Sequence, residues 1–428
     1  MPSTPSFIDN VEILSDYFRY RDGVLHCGEM SLGMIAQAVD TPTYVYSLGQ
    51  IKHNYQALER ALEKVKARTH IHYSIKANGN LSLLRYIASL GAGMDAVSAG
   101  EIFRAIQAGV NAQDIVFAGV GKTLEEIGYA VECGVGWFNI ENVQECAYIQ
   151  QASAAQGRTQ SVALRLNPEV TASTHPYIAT GHGGAKFGLT EESINAILSN
   201  QERYPNLDFA GLHVHIGSQL NDLNGTHNAL DKIVRIAKRY KINKINIGGG
   251  FPVQYHPSDN FPGIEAFAQI IDSAVDDDFD VLLEPGRSIV GNAGALITRV
   301  IYLKEQGGEQ FIIVDAGMTE LIRPALYQAY HAIVPVCIRS DQPEKAFQIV
   351  GPVCETTDIL GRSTVTQTPK VGDVLAILSA GAYGSVMSSN YNARLRPAEV
   401  AVATDGNEWE SIRERETYAD LIKSESLT

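Results

Sequence analysis

The sequence has no long apolar run and no excess of positive charge. None of its hydrophobic stretches approaches the roughly 18 residues that a membrane-spanning helix requires. Its 34 Lys and Arg residues against 48 Asp and Glu give a formal net charge of −14, and no basic stripe is present that could follow a phosphate backbone. These absences argue against a membrane protein and against a nucleic-acid-binding protein.

Cysteine is also scarce. The five cysteines are odd in number, scattered and never spaced as a C-x-x-C pair, so we expect reduced thiols. The amino-terminal stretch carries early acidic residues and lacks the basic start and apolar core of a secretory signal. We therefore expect a cytoplasmic protein.

The 428 residues suit a barrel of roughly 250 residues with a second, smaller domain. From about residue 68 to residue 290, short β-branched runs alternate with amphipathic stretches. The strand candidates are THIHYSIKA, GMDAVS, DIVFAG, GWFNIE, SVALRLNP, FAGLHVHIGS, KINKINIGGG and DVLLEPG. Eight repeated βα units predict an α/β fold with a closed eight-stranded parallel barrel, because closure leaves no exposed strand edge.

The remainder of the chain is β-rich. We expect the barrel to span residues 45–290, and residues 1–44 and 291–428 to form a β-sandwich or barrel-like domain that the amino-terminal strand segment joins. The tail GNEWESIRERETYADLIKSES predicts a solvated terminal helix.

Reactive groups of a parallel barrel lie at the carboxyl ends of its strands. Lys76 follows the apolar run IHYSI, which predicts a position in the barrel mouth, where partial desolvation lowers the pKa of a lysine and favours Schiff-base chemistry. On position alone, a structural lysine is commoner than a reactive one. Its methylene chain packs against apolar side chains while its ammonium group reaches water.

Strands six and seven end in residues suited to a phosphorylated ligand. Backbone N–H groups of the run Gly248–Gly250 can approach an anion closely, although such a run is more often a tight turn. His213 and His215 share a strand face and suit either zinc or an imidazole stacked on a pyridine ring, with Ser218 reaching a phosphate. The later histidines lie in loop, helix or β-domain contexts, which argues against zinc. One of the two histidines can equally be a hydrogen-bonded core residue.

Glu284 closes the apolar strand VLLEPG. Burying this acid unpaired would cost several kcal/mol, so a cationic partner is expected. A protonated pyridine nitrogen would serve and would make the ring an electron sink. The neighbouring Arg287 is an equally good partner by spacing.

Ten stretches, in order along the chain, resemble the fold-type-III pyridoxal-phosphate-dependent decarboxylases, in particular those that act on diaminopimelate. They are HYSIKANGN, DAVSAGEI, NPEVTASTHPYIATG, KFGL, GLHVHIGSQL, NIGGGFP, LEPGRSIV, LIRPALYQAYH, GPVCETTDIL and GAYGSVMSSNYNARLRPAEV. The stretch GHGGAKFGL and the motif CETTD depart from the usual family pattern, and the former lies near the loop thought to read the substrate.

The resemblance implies pyridoxal 5'-phosphate as cofactor, bound covalently by Lys76, with His215 stacked on its ring and Glu284 paired with its pyridine nitrogen. Further cofactor contacts are implied for Asp95, Ser218, Gly249, Gly250, Gly286, Arg287 and Tyr383. It also implies a homodimer in which Cys354 and Glu355 reach the partner's active site, and a final protonation by Cys354 or Lys76.

The implied reaction is decarboxylation of meso-2,6-diaminopimelate to L-lysine and CO2, the last step of lysine biosynthesis. The far end of that substrate carries an ammonium and a carboxylate. By resemblance, Arg323 with Tyr327 and Arg287 holds the carboxylate, for which a bidentate arginine is suited, and Glu355 takes the ammonium. Tyr383 is implied as a further substrate contact.

Three alternatives remain. A related decarboxylase for another carboxylated amine or a carrier-linked amino acid would have less use for Arg323 and the pair Cys354 and Glu355. A racemase on the same barrel would want a cation at the pyridine nitrogen, where Glu284 is an anion. A non-catalytic carrier of a phosphorylated cofactor would need the barrel alone.

Overall fold

The computed structural model describes residues 7–169, 186–339 and 342–427. The chain divides into two compact units. One consists of Asn54–Pro252 and Phe261–Ser288, and the other of Met1–His53, Val253–Asn260 and Ile289–Thr428.

The strands are β1 Phe18–Arg21, β2 Val24–Cys27, β3 Met30–Ser31, β4 Thr43–Ser47, β5 Arg68–Ser74, β6 Gly93–Ala96, β7 Ile115–Phe117, β8 Trp137–Ile140, β9 Gln160–Leu166, β10 Leu207–Val214, β11 Lys244–Asn246, β12 Asp280–Leu283, β13 Gly294–Gln306, β14 Glu309–Val314, β15 Ile333–Pro335, β16 Glu344–Val350, β17 Ile359–Gln367, β18 Val374–Ile377, β19 Ala398–Val402 and β20 Trp409–Arg413. The α-helices are α1 Phe7–Leu14, α2 Leu32–Val39, α3 Leu48–Leu62, α4 Leu81–Ser89, α5 Ala99–Gln107, α6 Leu124–Cys133, α7 Val143–Ala155, α8 Glu191–Leu198, α9 Leu223–Tyr240, α10 Ile264–Ala274, α11 Arg287–Val290, α12 Arg323–Tyr327 and α13 Tyr418–Leu421.

Strands β5 to β12 pair in chain order, all parallel, and β12 pairs with β5, so that this part of the chain forms a closed barrel. The strands are short apolar runs, as expected for parallel strands covered on both faces. Each of the eight predicted strands coincides with one of them. The predicted α/β barrel is therefore confirmed.

Helix caps fix where the loops of the barrel end. Asn80 accepts a hydrogen bond from the N–H of Ser82 at the start of α4, and a capping box of Thr123 and Glu126 opens α6. Such caps satisfy N–H groups that have no partner within the helix. They keep the strand-to-helix loops short, so the residues that end each strand are held at the barrel mouth.

The second unit is built on the long strand β13. It pairs with β14, β18 and β4, and β4 in turn pairs in parallel with β19. The amino-terminal strand β4 therefore lies inside the carboxyl-terminal sheet. Strands β1, β2 and β3 form a separate three-stranded sheet in the same unit, and buried apolar residues such as Leu25 and Ile297 share one core.

The predicted terminal helix of the tail is wrong. Residues Trp409–Arg413 form strand β20, antiparallel to β19, and only Tyr418–Leu421 is helical. Gly406, with φ of 79°, allows the reversal that returns the chain to the sheet, and Trp409 packs against the core. Pairing with β19 and burial of this side chain outweigh the local helical pattern.

None of the helices in the described part of the chain combines the length and the apolar character needed to cross a membrane.

Removal of a buried side chain tests the packing of the barrel core. Leu212 on β10 is fully buried, so Leu212→Ala is expected to lower the free energy of unfolding by about 2–5 kcal/mol through lost burial and a residual cavity. Urea unfolding followed by circular dichroism measures the change. Leu124 at the start of α6 is 57% exposed, and Leu124→Ala should change stability by no more than about 0.5 kcal/mol. Equal losses in both variants would contradict the assigned packing.

Candidate active site

Lys76 and Asp95 meet at the carboxyl ends of β5 and β6. Lys76 lies in a short turn of 3-10 helix, Ile75–Ala77, directly after β5, and its Nζ is 3.3 Å from Asp95 Oδ2. Ser74 Oγ donates to the same oxygen at 2.5 Å. Burial, followed by the charge of Glu284, raises the pKa of Asp95, while Lys76 and Ser74 oppose that rise. The Lys76 side chain is 37% exposed, so its amine is accessible.

Glu284 follows β12 and is buried in the barrel. Its Oε1 accepts hydrogen bonds from Asn139 Nδ2 at 3.1 Å and Asn246 Nδ2 at 2.6 Å, and His213 Nε2 lies 3.6 Å from Oε2. Burial alone would raise the pKa of Glu284, but the imidazole of His213, followed by Lys76, lowers it below its ordinary value. The side chain is therefore a buried carboxylate anion.

His215 lies just beyond β10 and is held as a neutral ring. Its Nδ1 accepts the backbone N–H of Gly249 at 3.1 Å, which leaves the ring proton on Nε2. Burial, followed by the positive charges of Arg165 and Lys76, places the pKa of His215 well below the usual value. A neutral imidazole suits packing against an aromatic ring.

The glycine run after β11 is required by close packing. A Cβ on Gly249 would lie 2.2 Å from the carbonyl oxygen of Glu284, and one on Gly248 would lie 2.4 Å from His215 Nδ1. We expected the N–H groups of this run to face an anion. In the structure Gly248 donates to Asn246 Oδ1 and Gly249 to His215 Nδ1, so two of the three amides have protein acceptors, and the contact of this run with an anion stays a prediction.

A second pair of polar side chains in the barrel unit lies just beyond the ends of β10 and β12. Arg287 begins α11, and its Nη2 donates to Ser218 Oγ at 3.2 Å. Gly286 packs so closely that a Cβ there would lie 3.0 Å from the Cβ atoms of both Ser74 and Ala77. A hydroxyl and a guanidinium placed together at strand ends suit a phosphate.

Arg323 lies in the second unit at the start of α12 and is buried. Its Nη1 contacts His331 Nε2 at 3.0 Å, and its guanidinium lies 4.5 Å from the centre of the Tyr255 ring. His331 is oriented by a contact of 2.9 Å between its Nδ1 and Leu378 O. These contacts hold the guanidinium in place, and Tyr327 lies at the end of the same helix.

Cys354 and Glu355 lie on an exposed loop of the second unit that is fixed by a buried acid. Asp358 accepts the N–H groups of Met318 at 2.6 Å and Val353 at 2.7 Å. Both Cys354 and Glu355 are exposed, and Glu355 Oε1 accepts a hydrogen bond from the hydroxyl of Tyr391 at 2.6 Å. The loop thus presents a thiol and a carboxylate at the surface of the chain.

The structure brings the barrel residues of the prediction together at strand ends, where Lys76 contacts Asp95, His215 contacts Gly249, and Ser218 contacts Arg287. Of the residues expected to read the substrate, Arg287 lies in the barrel unit, and the others lie in the second unit. The latter are Arg323, Tyr327, Glu355 and Tyr383, which has a left-handed φ of 55°. The motif TASTHPYIATG and the variant stretch GHGGA fall outside the described residues. In the part of the chain that the structure describes, no three side chains of His, Cys, Asp or Glu are grouped as metal ligands.

Four polar residues of these sites were not predicted from the sequence. They are Ser74, Asn139, Asn246 and Asp358, each bonded to a residue that was predicted or to the loop that carries one. The signal available was an asparagine inside an otherwise apolar strand, as in WFNI and KIN, since a buried amide requires partners.

Comparison with known proteins identifies the barrel. Residues 48–291 match the family model described as "Pyridoxal-dependent decarboxylase, pyridoxal binding domain". The chain is 41% identical to the diaminopimelate decarboxylase of Aquifex aeolicus over 97% of this chain and all of the relative. It is 43% identical to that of Pseudomonas fluorescens over 96% of this chain and 99% of the relative.

This chain belongs to the diaminopimelate decarboxylase family. A solved structure of a family member, the Helicobacter pylori diaminopimelate decarboxylase complexed with L-lysine, is similar at a TM-score of 0.87 and 36% identity, covering 92% of this chain and 98% of that one. The family cofactor is pyridoxal 5'-phosphate. The barrel fits it chemically, because an accessible lysine amine, a buried carboxylate anion, a neutral imidazole and a hydroxyl beside a guanidinium match its aldehyde, ring nitrogen, ring face and phosphate.

The neutral state of His215 predicts an acid-dependent loss of stability. Its pKa is depressed in the folded state, so the unfolded chain binds a proton that the folded chain does not, and stability falls as pH drops below the unfolded value of about 6.5. Relative to His215→Asn, the wild type should lose up to about 1.4 kcal/mol of unfolding free energy per pH unit in that range. Denaturant unfolding at a series of pH values measures it.

The control for this titration is Leu124→Ala, at an exposed side chain of α6 that carries no ionisable group. This variant should follow the pH dependence of the wild type. Parallel stability curves for the wild type and His215→Asn would show that the folded protein binds the proton as readily as the unfolded chain.

Proposed function

We propose that this protein decarboxylates meso-2,6-diaminopimelate to L-lysine and CO2 with pyridoxal 5'-phosphate. The observation that carries the proposal is the buried, ionised Glu284 in the same barrel mouth as Lys76. The bound cofactor supplies a protonated pyridine ring that accepts the electrons of the bond being cut. An anion facing the ring nitrogen supports that protonation, whereas a racemase would favour a cation there.

Each of the barrel residues is assigned to a different part of the cofactor. Lys76 Nζ would bind it covalently, and Asp95 beside it accepts or returns a proton at that amine. Glu284 would hold the proton of the ring nitrogen, and the neutral His215 would cover the ring face. The phosphate is assigned to Ser218 and Arg287, together with the backbone of Gly249, Gly250 and Gly286.

Substrate choice is assigned to a set of charged and aromatic side chains. A bidentate arginine matches a distal carboxylate, and Arg323 is held in place by His331 and Tyr255, with Tyr327, Tyr383 and Arg287 as further contacts. Glu355 would take the distal ammonium. The relatives named diaminopimelate decarboxylase and the related structure that contains L-lysine support this choice of substrate and product.

We further propose a cytoplasmic homodimer whose active sites are shared between subunits. Cys354 and Glu355 lie exposed on a loop fixed by Asp358, as a loop that serves a neighbouring subunit would. Cys354 would return the proton to the substrate carbon after CO2 leaves, with Lys76 as the alternative donor.

Replacement of the lysine tests the function. Lys76→Ala should lose the visible absorbance of the lysine-bound cofactor and lower CO2 release from meso-diaminopimelate by at least about a thousandfold, because no amine remains to hold the cofactor. Absorbance spectra and a CO2 assay measure both. Lys66→Ala, at a lysine with a 69% exposed side chain, is the control. A retained band in Lys76→Ala would refute the assigned lysine, and CO2 release only from another amino acid would refute the substrate.

Mixing two inactive variants tests the shared site. In a mixed dimer of Lys76→Ala and Cys354→Ala subunits, one site has both wild-type residues and the other has neither. Random exchange of subunits should therefore restore about a quarter of the wild-type activity. Activity is measured after dissociation and reassociation of equal amounts. No recovery, with dimers present by sedimentation, would place both residues of each site on the same subunit.

A further inference from the structure

Two buried asparagines meet Glu284, and each is oriented by a group that can only donate. Asn139 Oδ1 accepts the indole N–H of Trp137 at 2.9 Å, and Asn246 Oδ1 accepts the backbone N–H of Gly248 at 2.9 Å. Indole and backbone N–H groups have no acceptor capacity. Both amide oxygens are therefore fixed on these donors, and both NH2 groups must face Glu284.

The two NH2 groups converge on one oxygen of the carboxylate. Asn139 Nδ2 and Asn246 Nδ2 both donate to Oε1, and both asparagines are fully buried. An oxygen that accepts two N–H groups has no lone pair left for a proton, and such bonds are stronger when the acceptor is charged. The arrangement favours an ionised carboxylate and directs its other oxygen, Oε2, away from the amides.

We propose that Asn139 and Asn246 are positioning residues that keep Glu284 ionised through Oε1 and reserve Oε2 for the ring nitrogen of the cofactor. The second half of this inference rests on the proposed function. The first half concerns only the chain and holds for the protein without cofactor.

The other ionisable groups around Glu284 act alongside the amides. His213 faces Oε2 from β10, Lys76 acts from the end of β5, and the neutral His215 lies at the end of β10. The charge of Glu284 also acts on His72 of β5. Asp95 on β6 is a second acid and opposes ionisation. Of the contacts to Oε1 described above, both come from neutral donors whose strength does not change with pH.

The test uses the cofactor-free protein. Infrared difference spectra against Glu284→Gln identify the Glu284 carboxyl band, and its titration gives the proton affinity. Asn139→Leu and Asn246→Leu, which keep the number and branching of the side-chain heavy atoms but lose the donor, should each raise that affinity about tenfold, as for loss of a hydrogen bond to a charged group. Asn167→Leu removes a buried amide that instead donates to Phe187 O and should leave the titration unchanged.

Asn246→Asp covers the case in which a leucine variant does not fold. It keeps the shape of the side chain but places a second carboxylate beside Glu284, so the proton affinity of the pair should rise by more than tenfold. An unchanged Glu284 titration in the folded variants, of either kind, would overturn the proposal.

Two further signals separate positioning from a general structural role. In Asn139→Leu, the indole N–H resonance of Trp137 should shift while that of Trp409 stays in place. In protein reconstituted with ¹⁵N-labelled pyridoxal phosphate, the fraction of protonated ring nitrogen should fall in both leucine variants and not in Asn167→Leu.

If the protein binds no cofactor, the proposed function fails but the titration result stands. If cofactor binds with unchanged ring protonation, the role of Oε2 is refuted.

Discussion

The site depends on keeping one carboxylate charged inside an apolar barrel. Taking an ion out of water costs several kcal/mol even after the surroundings relax, and Glu284 meets that cost with neighbours drawn from separate strands. Asn139 comes from β8, His213 from β10 and Asn246 from β11. Strands β10, β11 and β12 are paired in succession, whereas β8 lies four strands from β12 and reaches Glu284 because the sheet curls into a barrel. The barrel form of the sheet and the surroundings that keep Glu284 ionised are therefore parts of one constraint. Gly249 is required by the same crowding, because a Cβ there would lie 2.2 Å from the main-chain carbonyl oxygen of Glu284.

The two acids at the barrel mouth show how much local surroundings matter. Both Glu284 and Asp95 are buried, yet the pKa of the first is lowered and that of the second is raised. The difference lies in the neighbours, because Glu284 has an imidazole beside it and Asp95 has the Glu284 charge against it. Opposed shifts in neighbouring acids commonly separate a permanently charged group from one that exchanges protons. Here the lowered pKa belongs to Glu284, and the acid with the raised pKa, Asp95, lies beside the Lys76 amine.

Much of the barrel was predictable because its signals are local. Alternating β-branched runs and amphipathic stretches mark the strands and helices, and the rule that strand ends carry the chemistry places Lys76 and Glu284 at one mouth. The amide pair was not predictable, because Asn139 and Asn246 are more than a hundred residues apart and only strand pairing brings them together. The prediction of a helix in the tail was wrong for the same reason, because strand β20 forms by pairing with β19. The acceptors of two of the glycine amides, Asn246 Oδ1 and His215 Nδ1, were not predictable either, because they are side chains whose directions local sequence does not specify.

The second unit also contains a buried acid that accepts N–H groups, and there the acid has a structural role. Asp358 accepts the N–H groups of Met318 and Val353, and Gly317 and Gly351 pack so closely that a Cβ on either would lie within 3 Å of its carboxylate. Burial raises the pKa of Asp358, while the N–H groups of Met318 and Val353 and the charge of Arg394 oppose that rise. Asp358 ties backbone segments together, so that Cys354 and Glu355 can be exposed to solvent without losing a defined position, which a group that must meet a substrate carbon requires.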